Sequence, residues 1–338
     1  MTLLSVRDFA VHYATRAGAV RAVDGVELDV PSGGIVGLVG ESGCGKSTLG
    51  RALMGVLPES ARIAAGSAVF EGRDLVAMRE DERRDLRWRR LAFIPQTAMN
   101  ALDPVQRLRW QLLEVLRERG GLPQRAAIDR AAELFRMVGL DPSRLADYPH
   151  QFSGGMRQRA SIALALALEP KLVIADEPVT ALDVIVQRQV LDMLSGLQQR
   201  LRLAMVLITH DMAVVAYSCD RVAVMYAGRI VESGPAAEVL ERPLHPYTMG
   251  LTHAFPDVHG GDEELVPIEG VPPVLIDPPP GCKFAPRCPF ALEICRTETP
   301  ALVQHGADHL AACWRAKEAS ALRVAAAQPE TWVKVGAA

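Results

Sequence analysis

The chain has 338 residues, 49% hydrophobic and 23% charged, with a formal net charge of −3 at pH 7. At about 150 residues per domain the length predicts roughly two domains, and the composition excludes a disordered chain. The small net charge gives no global basic field for nucleic acid, and the longest apolar run, residues 162–168, falls far short of the roughly 18–20 residues of a membrane span.

Residues 1–9 lack the charged, apolar and small-residue regions of a signal peptide, which predicts a cytoplasmic protein. In that compartment cysteines are free, catalytic or metal-binding rather than disulfide-bonded. Val6, Asp8 and Ala10, then Val26, Leu28 and Val30, alternate in the manner of half-exposed strands, with a turn at residues 15–18; this predicts an antiparallel opening. Ile35–Val39 is a continuous apolar run of the kind found in strands buried on both faces.

Gly40, Glu41, Ser42, Gly43, Cys44, Gly45, Lys46 and Ser47 then match the phosphate-loop pattern G-x-x-x-x-G-K-[ST], between that strand and a helix beginning near Thr48. The glycines let backbone N–H groups face phosphate, and the helix N-terminus adds a positive dipole end. Lys46 is expected to reach the β- and γ-phosphates and Ser47 to hold Mg²⁺.

Residues 79–90 mix Arg83, Arg84, Arg87, Arg89 and Arg90 with Glu80, Asp81, Glu82 and Asp85, which favours a solvated helix over a basic patch. Leu91–Ile94, 172–175 and 204–208 are further buried-strand runs with helical patterns between them, the mark of an α/β chain with a largely parallel sheet. Residues about 100–168 look wholly helical, with candidates at 109–119 and 125–138, and predict an inserted helical subdomain. The run before Asp176 and Glu177 is an apolar strand ending in two carboxylates. Beside a phosphate loop, Asp176 suits the Mg²⁺ shell and Glu177 suits orienting or deprotonating the attacking water. Val186, Val190, Leu194, Leu197 and Leu201 form one apolar stripe of a helix. After about Phe255, repeated prolines break the pattern and four of the six cysteines follow, so a boundary is expected there. The tail from about Glu318 is alanine-rich, helical or frayed.

The motifs in order resemble those of ABC-type ATPases: Phe152-Ser153-Gly154-Gly155-Met156 as the signature, Tyr13 as the aromatic stacking on adenine, Gln96 as the Q-loop, Ala181-Leu182-Asp183 as the D-loop and His210 as the switch histidine. Phe152 and Met156 depart from the commonest signature and look like the peptide-importer branch. Arg242-Pro-Leu-His245-Pro246-Tyr247-Thr248 and Gly281-Cys282-Lys-Phe-Ala-Pro-Arg287-Cys288-Pro289 resemble the C-terminal extension of ATP-binding subunits of oligopeptide and dipeptide importers.

The resemblance implies a P-loop ABC-type α/β ATPase with antiparallel β and helical subdomains over residues 1–255, and a small cysteine-containing extension over 256–338. It implies ATP at Tyr13, Gly40, Glu41, Ser42, Gly43, Cys44, Gly45, Lys46, Ser47, Thr48 and Gln96, with Mg²⁺ held by Ser47, Gln96 and Asp176. Glu177 and His210 are the expected catalytic pair. Ser153, Gly154 and Gly155 would contact ATP held by a second ATPase subunit, in a heterodimer rather than a homodimer, with Asp183 in the D-loop. Two permease subunits and an extracytoplasmic binding protein would complete a transporter on whose cytoplasmic face this chain sits, touching the permease through residues about 96–110.

Cys282, Cys288, Cys295 and Cys313 are spaced C-x5-C-x6-C-x17-C, unlike the paired C-x2-C of common zinc sites. Four thiols in a segment with a thin apolar pattern suggest a metal-organised fold, [4Fe–4S] or Zn²⁺, with four unligated cysteines or one or two disulfides as the alternative. The resemblance favours the iron–sulfur cluster, since some peptide-importer ATPases carry one here. Cys44 and Cys219 need no metal. Nickel or another small solute is the alternative cargo. A soluble ABC ATPase acting on DNA or ribosomes is disfavoured, because only 107 positions separate Lys46 from Ser153, without sustained heptads, and one cassette occurs.

Overall fold

Strands β1 (Thr2–Thr15), β2 (Gly18–Pro31) and β3 (Ile35–Val39) lead into helix α1 (Lys46–Met54), followed by β4 (Ala61–Phe70) and β5 (Arg73–Asp74). The middle of the chain supplies α2 (Glu80–Leu86), β6 (Leu91–Ile94), α3 (Leu108–Glu114), α4 (Gln124–Met137), α5 (Gly154–Ala165), β7 (Leu172–Asp176), α6 (Val184–Leu201) and β8 (Ala204–Thr209). Next come α7 (Met212–Ser218), β9 (Arg221–Tyr226), β10 (Arg229–Pro235), α8 (Ala236–Glu241) and α9 (Pro246–His253). The C-terminal part holds α10 (Glu293–Thr297), β11 (Val303–His305), β12 (His309–Ala311), α11 (Ala319–Ala326) and α12 (Glu330–Val333). The computed structural model describes residues 1–96, 101–180, 182–253, 268–276, 278 and 280–333. Ala181 and the expected boundary near Phe255 lie outside them.

The chain packs as two compact units, one of residues 1–3, 30–35 and 77–208, the other of 4–29, 36–76 and 209–338. In the first unit β8, β7 and β6 lie side by side and parallel, with Leu91 opposite Leu172 and Ala175 opposite Leu207. Every residue of β7 is buried, which is why its sequence runs apolar without alternation. Among the described residues of the 101–168 stretch there is no strand; α3 runs on as a π-helical turn at Val115–Arg119. Helix α6 buries Val190, Leu191, Leu194, Leu197 and Gln198. Val186, placed on the same stripe by its spacing, is only half-buried in the first turn. Helix α2 buries nothing and is laced with ion pairs such as Arg83–Glu80, a solvated helix as its mixed charges predict. No described helix is long and apolar enough to cross a membrane.

The second unit holds two sheet portions. In one the order is β2-β1-β4-β5, and in the other it is β11-β12-β10-β9-β3, with β3 and β9 parallel. The alternation of Val6, Asp8 and Ala10 does not continue as one face. Asp8 takes a left-handed φ of 46° and the register of β1 on β4 shifts between Arg7 and Ala10, a bulge that turns Asp8 outward while Val6 and Ala10 stay buried. Gly66 of β4 lies against this bulge, where a Cβ would stand 2.3 Å from the Asp8 carbonyl oxygen.

The core of this unit is built jointly by distant parts of the sequence. Val39, Val222, Val224, Tyr226 and Tyr247 pack with Phe284, Leu322 and Trp332. Each large side chain so buried contributes on the order of 1.5–3 kcal/mol. Over its described residues, up to Val333, the alanine-rich tail is largely helical: α11 turns Leu322 and Ala326 inward, and Trp332 donates its indole N–H to the Ala326 carbonyl at 2.8 Å. Glu232 of β10, fully buried, accepts from the backbone N–H of Leu244 at 2.6 Å, that of His245 at 2.9 Å and His309 Nε2–H of β12 at 2.7 Å. Cys219 is the extended residue capping the C-terminus of α7, and burial pushes its thiol pKa up to about 12.

Candidate functional site

In the second unit, β3 delivers the chain into the loop from Gly40 to Gly45, and α1 begins at Lys46. This helix starts two residues earlier than its apolar pattern predicts, because Gly45, at φ 109°, serves as the N-cap. Gly40 and Gly45 admit no side chain: a Cβ on either would stand 2.1 Å from a carbonyl oxygen, of Met225 and Ala22 respectively. Lys46 is 5% exposed, and its Nζ donates to the carbonyls of Gly40 at 2.7 Å and Glu41 at 2.9 Å. The lysine is thus folded over the loop it serves, with its charge held among backbone oxygens. Cys44 contributes backbone: its carbonyl accepts from Gly228 N–H at 2.8 Å, while burial raises the pKa of its thiol. The Tyr13 hydroxyl lies 3.2 Å from Thr48 Oγ1, which brings the expected adenine-stacking residue to the first turn of α1. Ser42 and Gly43 are exposed. His210, also in this unit, is an exposed residue after β8, and the following Asp211 caps α7 by accepting from Ala213 N–H at 2.8 Å.

The first unit gathers a second set. Parallel pairing of β6 and β7 brings their C-terminal ends together, so Gln96 and Glu177 meet across 81 residues: Gln96 Nε2 donates to Glu177 Oε2 at 2.8 Å. The Thr180 hydroxyl donates to the same oxygen at 3.0 Å. Glu177 sits in the left-handed region at φ 48°, its N–H bonded to the Ile208 carbonyl at 2.9 Å, a strained posture of the kind concentrated at functional sites. Asp176, immediately before it, is fully buried at the end of β7.

Ser153 caps α5, its Oγ accepting from Met156 N–H at 3.3 Å. Asp183 caps α6, accepting from Val186 N–H at 3.0 Å. The two helix starts touch, since a Cβ on Gly155 would stand 2.6 Å from a methyl of Val186. Ser153, Gly154 and Gly155 are therefore brought beside Asp183 within one unit. Phe152 anchors them from behind: 3% exposed, it packs on Phe135 with ring centroids 6.5 Å apart and carries the Arg144 guanidinium over its face at 4.9 Å.

Cys282, Cys288, Cys295 and Cys313 are all free and all line one cavity of about 20 Å³, walled by His245, Phe284 and Phe290. Cys282 N–H donates to the Cys295 carbonyl at 2.8 Å, and the sulfurs of Cys295 and Cys313 accept backbone N–H groups of Leu292 and Arg315 at 3.4 Å. Burial raises the pKa of Cys282 and Cys288 and pushes Cys313 up to about 12. Among the described residues no group of three or more His, Cys, Asp or Glu is arranged to hold a metal ion.

Several partners of the candidate site residues escaped the sequence reading. The Tyr247 hydroxyl accepts from Glu41 N–H at 2.9 Å, Arg287 pairs with the Glu41 carboxylate, and Thr180 bonds Glu177. Tyr247 and Arg287 stand inside the two C-terminal motifs, and that is the one signal that pointed to them.

Two family models match the chain: ABC transporter over residues 23–180, and the oligopeptide/dipeptide transporter C-terminal region over residues 231–295. A probable peptide ABC transporter ATP-binding protein of Sinorhizobium fredii is 45% identical over 94% of this chain and 96% of its own length. The oligopeptide transport ATP-binding protein OppD of Salmonella typhimurium is 44% identical over 94% of both chains. The dipeptide transport ATP-binding protein DppD of Escherichia coli is 44% identical over 89% of this chain and 93% of its own. In fold, the chain is similar to a dimeric ATP-binding cassette solved with ADP and phosphate, with a TM-score of 0.62 and 24% identity over 69% of this chain and 98% of the other.

Proposed function

Since the chain belongs to the family of peptide ABC transporter ATP-binding proteins, we propose that it hydrolyses ATP to energise import of di- or oligopeptides through partner permease subunits. The observation that carries this reading is the continuity of the match, through the nucleotide-binding region and on into the C-terminal region that relatives named for peptide transport share.

The residues are suited to their parts. Lys46 and the backbone N–H groups from Gly40 to Thr48 hold the triphosphate, and Tyr13 stacks on the base. Ser47, Gln96 and Asp176 offer the hard oxygen donors that Mg²⁺ takes, and the ion when bound counters charge on the phosphates. Glu177 accepts the proton of the water that attacks the γ-phosphate in line. Gln96 and Thr180 aim its carboxylate by donating to one oxygen. His210 contacts the γ-phosphate. Ser153, Gly154 and Gly155 serve the ATP of a second, different ATPase subunit, at the start of a helix whose dipole favours an anion. The chain sits at the cytoplasmic face of the membrane, touching the permease through its helical subdomain. An extracytoplasmic binding protein supplies the cargo.

Reconstitution in liposomes tests this. The assembled transporter with its peptide-loaded binding protein should hydrolyse ATP and accumulate peptide. Uptake of nickel with no peptide uptake would overturn the cargo.

For Cys282, Cys288, Cys295 and Cys313 the reading is a [4Fe–4S] cluster rather than Zn²⁺. Four unbridged thiols line one largely apolar cavity, two of them already accepting backbone N–H groups, and four thiols are the ligand type and number such a cluster takes; binding it would draw the four sulfurs together from their present arrangement. When bound, it cross-links the extension and supplies folding energy. Anaerobically purified protein should be brown, absorb near 400 nm and carry about four iron and four sulfide per chain. Stoichiometric zinc without iron would overturn this reading.

A further inference from the structure

The phosphate loop is held from outside by one buried arginine. Arg287 is 5% exposed, and all five of its N–H donors are used. Nη1 and Nη2 donate to the two carboxylate oxygens of Glu41 at 2.7 and 2.9 Å, a fork on a carboxylate. The remaining donors fix the fork itself: Nε on the Glu269 carbonyl at 2.9 Å, Nη2 on that of Ile268 at 3.0 Å and Nη1 on the Tyr226 hydroxyl at 3.3 Å.

Glu41 is the second residue of the loop and is held at three points. Its N–H donates to the Tyr247 hydroxyl, its carbonyl accepts from Lys46 Nζ, and its carboxylate lies in the Arg287 fork. A shift of the Glu41 peptide therefore moves an acceptor that positions the phosphate-binding lysine. A salt bridge that merely docked the extension would not need to reach a residue so placed.

We infer that Arg287 is a positioning residue of the ATP site: through Glu41 it sets the shape of the phosphate loop and the reach of Lys46, and so makes nucleotide affinity depend on the fold of the cysteine-bearing segment in which it lies. This rests on the reading of Gly40 to Thr48 as the ATP site. The arginine acts through Glu41, whose carboxylate it holds in its fork. Because loop geometry serves bound ATP and the transition state alike, its loss falls on KM more than on kcat.

The test uses the assembled transporter. Arg287→Gln and Glu41→Gln should each raise the KM for ATP about tenfold, with a smaller fall in kcat, and should weaken Mg-ADP binding in calorimetry to match. The double variant should be no worse than either single one, because both break the same link. Arg287→Lys, which keeps the charge but not the fork, should fall between Arg287→Gln and the wild type. Arg323→Gln is the comparison: Arg323, also in the extension, bonds the Pro243 carbonyl, and its loss should leave KM unchanged. Unchanged KM and Mg-ADP affinity in Arg287→Gln, or additive effects in the double variant, would overturn the inference. A wild-type complex that binds no Mg-ADP would overturn the ATP-site reading beneath it.

Discussion

Glu177→Gln should leave Mg-ATP bound and slow its hydrolysis by about 100-fold or more, because an amide cannot take a proton from the attacking water. The substitution is close to isosteric. Gln96 Nε2–H and the Thr180 hydroxyl both donate to Glu177 Oε2, and an amide oxygen in its place accepts the same two bonds. The backbone constraint, φ 48° with the N–H on the Ile208 carbonyl, does not depend on the side chain's charge. What the variant removes is therefore basicity, with geometry kept. The measurement is phosphate release by the assembled transporter alongside nucleotide binding by calorimetry. Wild-type turnover would exclude Glu177 as the base, whereas loss of nucleotide binding would mean that the carboxylate shapes the site instead.

The largest effect on stability is expected at Glu232. Its carboxylate is fully buried and takes bonds from Leu244 N–H, His245 N–H and His309 Nε2–H, tying β10 to β12 and to the start of α9. Glu232→Ala strands three donors at once, two of them buried. Breaking a buried pair from one side costs about 3–5 kcal/mol, a fall in melting temperature on the order of 10 °C. Thermal unfolding of the purified chain checks this, and a drop of less than about 3 °C would show that water replaces the carboxylate at no net cost. His309→Ala removes one of the three bonds and should cost less.

Strands β3, β6, β7 and β8 and the phosphate loop were legible because each is a local pattern: a short unbroken apolar run for a buried strand, and glycines where a side chain would strike Met225 or Ala22. Strands β4, β9 and β10 were not. β4 carries Ala, Ser and Gly where its exposed face needs no apolar alternation, and β9 and β10 are short runs with no helix between them to mark their edges. The bulge at Asp8 was hidden because alternation in sequence does not reveal a residue that breaks register. In the candidate site, residue types and order pointed to Gln96, Asp176 and Glu177. Thr180 carried no pattern of its own. Tyr247 and Arg287 stood inside the two C-terminal motifs, but nothing in those motifs tied them to Glu41, and what brings all three to their partners is topology.

The link between Arg287 and Glu41 spans 246 residues of chain. A ribosome adding about 5–20 residues per second needs roughly 10–50 s to reach the arginine after making the loop. For that interval the nascent phosphate loop has neither its guanidinium clamp nor the Tyr247 hydroxyl. Full affinity for nucleotide is then acquired only after Arg287 has been made, and until that point the loop binds more weakly than in the finished fold.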